Sequence, residues 1–124
     1  MFITYCKSKI AYGCITQAEL FYEGSITIDR TLLDAVGILP GEKVEVLNIN
    51  NGSRIETYAI AGKAGSGVMC LNGPAARSGA VGDRIIILSY ALMSPEEAKD
   101  FQTRIVHLDE NNAIKKNTTS RHIL

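Results

Sequence analysis

Short runs of β-branched and aliphatic residues recur along the chain, each closed by glycine or a polar cluster. Residues 2–5 and 10–16 read as strands separated by the polar Lys7-Ser8-Lys9, and 26–28 as a third. The stretch from Asp29 to Gly37 predicts a short helix, with Asp29 as its N-cap and Gly37 as the residue that ends it. In 43–49, Val44 and Val46 alternate with polar positions, and Asn50-Asn51-Gly52 signals a hairpin turn into a partner strand at 54–62. The glycine-rich 62–67 reads as a turn in a further hairpin leading to a strand at 67–71, which Asn72-Gly73 ends. Residues 74–79 suffice for one helical turn with Pro74 first. The most apolar run, 84–90, is expected at the centre of the sheet. Ser94, Pro95 and Glu97 form a capping-box pattern for a short helix, and 104–108 is a last strand. The tail beyond Asn111 is polar and is expected to fray.

Short, glycine-bounded strands with two or three short helices predict a mainly β protein, and a small barrel over an open α/β sheet. An internal echo sharpens this. The segment 37–47, GILPGEKVEVL, superposes without gaps on 78–88, SGAVGDRIIIL, so that Gly41 matches Gly82, Glu42 Asp83, Lys43 Arg84 and Val46 Ile87. A generic turn does not need the matched charge pair, so the repeat points to a barrel with internal pseudo-twofold symmetry.

Composition narrows the function. The chain has 124 residues without a compositional break, which predicts one domain spanning 1–124. Lys plus Arg and Asp plus Glu number 13 each, so there is no basic excess of the kind nucleic-acid binders carry. No apolar run reaches membrane-spanning length and no leader is visible, which predicts a cytoplasmic protein not bound to a membrane. The three cysteines, Cys6, Cys14 and Cys70, are scattered and read as reduced thiols. Two histidines and no carboxylate cluster give neither a Ser-His-Asp triad nor a metal site.

What remains is a set of polar residues near strand ends: Lys9, Tyr22, Ser25, Arg54, Thr57, Tyr58 and Asn72. Each alone has an ordinary structural explanation. The Gly24-Ser25 junction changes their weight. Glycine leaves its own carbonyl sterically open and permits a strained backbone, so the next serine hydroxyl can attack it. The resulting N→O acyl shift gives an ester. β-Elimination then splits the chain after Gly24, and hydrolysis of the dehydroalanine leaves a pyruvoyl group at 25 with loss of ammonia.

Lys9 in Ser8-Lys9-Ile10, residues 16–29 (TQAELFYEGSITID), 50–60 (NNGSRIETYAI) and 65–77 (GSGVMCLNGPAAR) together resemble the pyruvoyl-dependent aspartate 1-decarboxylases, which supply β-alanine for pantothenate synthesis. The resemblance runs from about Ile3 to Val106. It implies a double-ψ β-barrel, self-cleavage of a zymogen into chains 1–24 and 25–124, and a homotetramer with sites between neighbouring subunits. It implies that Ser25 becomes the pyruvoyl group, which forms a Schiff base with L-aspartate and acts as electron sink. Arg54 and Lys9 would grip the substrate's carboxylates, Tyr58 would protonate the carbanion, and Thr57 would assist cleavage. Asn72 would orient the pyruvoyl group, Tyr22 would line the pocket, and backbone at Gly73 and Ala75 would bind an oxygen. Many members carry histidine two residues after the lysine, where this chain has Ala11 followed by Tyr12. Pro74 replaces a common alanine and offers no N–H, so any oxygen-binding donor there falls to Gly73 or Ala75. The alternative from another class is a non-catalytic barrel that serves as a binding or assembly module.

Overall fold

A computed structural model describes residues 1–120. In chain order the elements are β1 (Ile3–Cys14), β2 (Gln17–Glu19), β3 (Ser25–Asp29), α1 (Arg30–Val36), β4 (Lys43–Asn48) and β5 (Arg54–Gly62). They continue with β6 (Met69–Asn72), a 3-10 helix (Gly73–Ser78), β7 (Arg84–Met93), α2 (Pro95–Asp100), β8 (Thr103–Leu108) and β9 (Ile114–Ser120). The strands form one barrel-like sheet in the order β2-β6-β3-β5-β4-β7-β1-β8-β9, as the mainly β expectation required. Most neighbours are antiparallel, but β1–β8, β3–β5 and β2–β6 run parallel between strands distant in sequence. No helix among the described residues is long and apolar enough to cross a membrane.

The core follows from alternation. Val44 and Val46 of β4 and Ile85 and Ile87 of β7 point inward with Ile26 and Ile28 of β3 and Met69 and Leu71 of β6. Each fully buried aliphatic side chain contributes roughly 1.5–3 kcal/mol of transfer free energy. The run 84–90 lies inside the sheet as expected, with β4 on one side and β1 on the other.

The internal echo is structural. Gly41 and Gly82 adopt φ of +89° and +95°. The Glu42 carboxylate accepts from Leu39 N at 3.0 Å, and the Asp83 carboxylate accepts from Ala80 N at 3.0 Å. Val46 and Ile87, equivalent in the repeat, are also register partners across the antiparallel β4–β7 pair. A local twofold axis therefore passes between them.

The caps of α1 and α2 behave as the sequence indicates. The Asp29 carboxylate accepts from Thr31 N at 2.8 Å, Gly37 ends α1 in the left-handed region, and Ser94 Oγ accepts from Glu97 N at 3.1 Å.

Four expectations need correction. The two N-terminal strands are one strand, β1, whose pairing with β7 shifts register between Cys6 and Ser8 and again between Ile10 and Gly13. Bulges let polar residues interrupt the alternation without ending the strand. The segment 62–67 is not a hairpin: β5 and β6 both flank β3, so the turn crosses the end of β3. The buried Asp29 carboxylate holds it by accepting from Gly65 N and Gly67 N at 2.9 and 2.8 Å. Asn72 belongs to β6 rather than to a turn. Finally, the tail beyond Asn111 does not fray up to residue 120, because β9 pairs antiparallel with β8. Residues 121–124 of that tail lie outside the described residues.

Candidate active site

Ser25 opens β3 opposite Asn72, the last residue of β6. Since strand side chains alternate, Ser25 and Thr27 share one face with Cys70 and Asn72, while Ile26, Ile28, Met69 and Leu71 turn to the core. All four residues of this face are partly or fully buried, and Ser25 is completely so. Asn72 Nδ2 donates to Ser25 Oγ and to Thr27 Oγ1, both at 2.9 Å. Its Oδ1 accepts from Cys70 Sγ at 3.2 Å. Burial pushes the Cys70 thiol up, and the charge of Glu19 adds to the effect, so the thiol keeps its proton at neutral pH.

The backbone before Ser25 is held unusually close. Gly24 has φ +91° and Gly73, which starts the 3-10 helix, has φ +66°. A Cβ on Gly73 would stand 2.4 Å from the Tyr22 carbonyl oxygen and 2.5 Å from Gly24 N. Only glycine allows both this conformation and this approach. At Gly24 a Cβ would meet Pro74 Cδ at 3.5 Å. A cleft of about 360 Å³ opens here, bordered by Glu23, Gly24, Thr57, Pro74, Ala75 and Ser78.

The sequence-selected residues therefore divide. Gly24, Ser25, Thr57, Asn72, Gly73 and Ala75 gather around one junction. Lys9, Arg54 and Tyr58 do not join them. Alternation along β5 turns Arg54 and Tyr58 away from Thr57. Arg54 Nη1 donates to Glu45 Oε1 at 2.7 Å and borders a second cleft, of about 650 Å³, with Lys43, Leu88 and Tyr90 on the outer face of the sheet. Burial, with Glu45 and Cys6 nearby, raises the Tyr90 phenol above its ordinary value. Lys9 is the register partner of Leu88. Tyr58 is 40% exposed and Tyr22 56%. Ala11 is buried and lies beside His107 of β8 in register.

Thr27 and Cys70 were not among the selected residues. The only signal for them is spacing, two residues after Ser25 and two before Asn72. That spacing becomes informative only once β3 and β6 are known to pair.

A family model described as aspartate decarboxylase matches residues 1–115. The chain is 53% identical to aspartate 1-decarboxylase of Salinibacter ruber, over 96% of this chain and 82% of that protein. It is 57% identical to that of Carboxydothermus hydrogenoformans, over 94% and 91% of the two chains. Against the Thermoanaerobacter pseudethanolicus protein of the same name the identity is 58%, over 86% and 91%.

Proposed function

The chain belongs to the aspartate decarboxylase family and its activity is the decarboxylation of aspartate; on that premise we propose that it makes its own catalytic group, a pyruvoyl cap at Ser25, by splitting after Gly24. The observation that carries this reading is the junction itself. A fully buried serine hydroxyl follows a glycine at φ +91° and accepts a hydrogen bond from a buried amide. The residues present fit the group: Asn72 has a donor for an oxygen at position 25, and Gly73 leaves no side chain in the way.

In self-cleavage, Ser25 Oγ attacks the Gly24 carbonyl carbon and the amide nitrogen leaves as a free amine. The ester eliminates the Gly24 carboxylate, and water replaces the nitrogen of the resulting dehydroalanine, releasing ammonia. Thr57, on the wall of the cleft beside Gly24, steadies the carbonyl under attack. Once formed, the pyruvoyl group supplies a ketone that holds the substrate amine and accepts the electron pair left by carbon dioxide.

The remaining work falls to side chains. Arg54 grips a carboxylate of L-aspartate in bidentate fashion and Lys9 pairs with the charge electrostatically. Tyr58 delivers a proton to the carbon that lost carbon dioxide, giving β-alanine. Tyr22 walls the pocket, and backbone at Gly73 and Ala75 faces the oxygen at position 25. Because Lys9, Arg54 and Tyr58 lie on the outer face of the sheet, the complete site joins the junction of one copy to that face of a neighbour, within a homotetramer. The exposed Tyr90 and Leu92 beside Arg54 support an interface there.

Denaturing mass spectrometry of the purified chain tests the proposal. Two fragments, 1–24 and 25–124, are expected, and borohydride with aspartate adds a substrate adduct to the N-terminus of the longer one. An unsplit 13.5 kDa chain that still decarboxylates aspartate overturns it.

A further inference from the structure

Asn72 faces Ser25 with its NH₂ group and not with its carbonyl, and the cause lies outside the junction. A side-chain amide can turn over and exchange its two ends. Neither hydroxyl decides between them, since Ser25 and Thr27 can each donate or accept. The group on the other side is the Cys70 thiol, whose Sγ lies 3.2 Å from Oδ1. A buried thiol that keeps its proton offers a donor and is a poor acceptor. It therefore favours the carbonyl end and leaves Nδ2 for Ser25 and Thr27. Cys70 is 5% exposed, so no solvent competes for the contact, and the Leu71 carbonyl, also in reach of Sγ, is farther away at 3.8 Å.

We infer that Cys70 is a positioning residue for self-cleavage, fixing the Asn72 amide so that its N–H points at the oxygen that must leave. The inference rests on the self-cleaving reading above and concerns its elimination step. In the ester, Oγ bonds to the Gly24 carbonyl carbon and carries no hydrogen. Loss of the Ser25 Cα proton to solvent provides the electron pair of the new Cα=Cβ bond. The Cβ–Oγ bond breaks and its pair departs on Oγ as the Gly24 carboxylate. A donor 2.9 Å from Oγ stabilises that developing charge. An amide turned the other way would place a carbonyl dipole against it.

The test follows maturation directly. Freshly made unsplit chain of wild type, Cys70→Ala and Cys70→Ser is incubated, and cleavage is followed by mass, with samples quenched in hydroxylamine to trap ester. Cys70→Ala is expected to cleave about tenfold more slowly, the order expected when a buried polar atom loses its partner. It should also accumulate ester, seen as fragment 1–24 ending in a hydroxamate and a long fragment beginning with intact Ser25. Cys70→Ser keeps a donor and should restore the wild-type rate. Should alanine prevent folding, Cys70→Val against Cys70→Ser makes the same comparison with the volume kept. Equal rates in all variants, or slow cleavage without trapped ester, overturn the inference. Wild type that never splits overturns instead the reading on which it rests.

Discussion

Gly73 approaches Gly24 so closely that a methyl group on it would stand 2.5 Å from the Gly24 nitrogen. The two glycines come from elements nearly fifty residues apart, and both have positive φ. Their contact seats the bond that the proposed self-cleavage would break. Gly73→Ala is expected to suffer twice. The left-handed conformation alone costs about 1–2 kcal/mol with a side chain, and the clash displaces residues 22–24. Cleavage should slow by at least about tenfold, and the melting temperature should fall by roughly 5 °C or more. Mass analysis over time and a thermal melt check the two effects.

Thr57 and Tyr58 are neighbours with opposite proposed duties, because alternation sends them to opposite sides of β5. Thr57→Val should impair splitting of the chain. Tyr58→Phe should split normally and then decarboxylate roughly 10²–10⁴-fold more slowly, the range lost with a positioned proton donor. Fragment ratios and carbon dioxide release, measured on the same preparations, separate the two. A Tyr58→Phe chain that remains whole would contradict the assignment.

If the outer face completes a neighbour's site, two inactive variants should rescue each other. Ser25→Ala cannot form the catalytic group but keeps its Arg54 face. Arg54→Ala matures but lacks the grip on substrate. Co-expressed, they should yield mixed assemblies with measurable decarboxylase activity, while each alone has almost none. Absence of activity in verified mixed assemblies would place the whole site within one chain.

Asp29 gives a pH signature to the fold. Burial alone would raise its carboxyl, but the N–H groups of Gly67, Gly65 and Thr31 outweigh that and hold it below the ordinary carboxylate value. A carboxyl lowered by folding stabilises the native state fully above its unfolded pKa, about 3.9. That contribution is lost as pH falls through the folded value. Asp29→Asn should therefore destabilise the protein by about 2 kcal/mol at neutral pH. The gap to wild type should narrow below about pH 4, as urea denaturation at pH 7 and pH 3 would show. A constant gap would mean that the charge of Asp29 contributes nothing.

Elements whose signals are local were legible in the chain. Asp29 and Gly37 bracket α1 as N-cap and C-terminal glycine because capping chemistry acts within a few residues. The echo of 37–47 in 78–88 announced two equivalent turns, and Glu42 and Asp83 close them with matching hydrogen bonds. The continuous β1 was not legible, since Lys7-Ser8-Lys9 breaks the alternation that a bulge then absorbs. Nor was β9, whose residues 114–120 are mostly polar and are ordered by pairing with β8.

The candidate site divides along the same line. The proposed reactivity at Gly24-Ser25 belongs to two adjacent residues, so the order of residues alone locates the junction at which that proposal has the chain attack itself. Which groups surround that bond was decided by register: β3 beside β6 sets Cys70, Asn72 and Thr27 around Ser25. The twist and alternation of β5 send Arg54 and Tyr58 to the far side. Spacing along a chain encodes which face a side chain takes within its own strand, but the neighbour it meets there depends on long-range pairing, which only the folded sheet supplies.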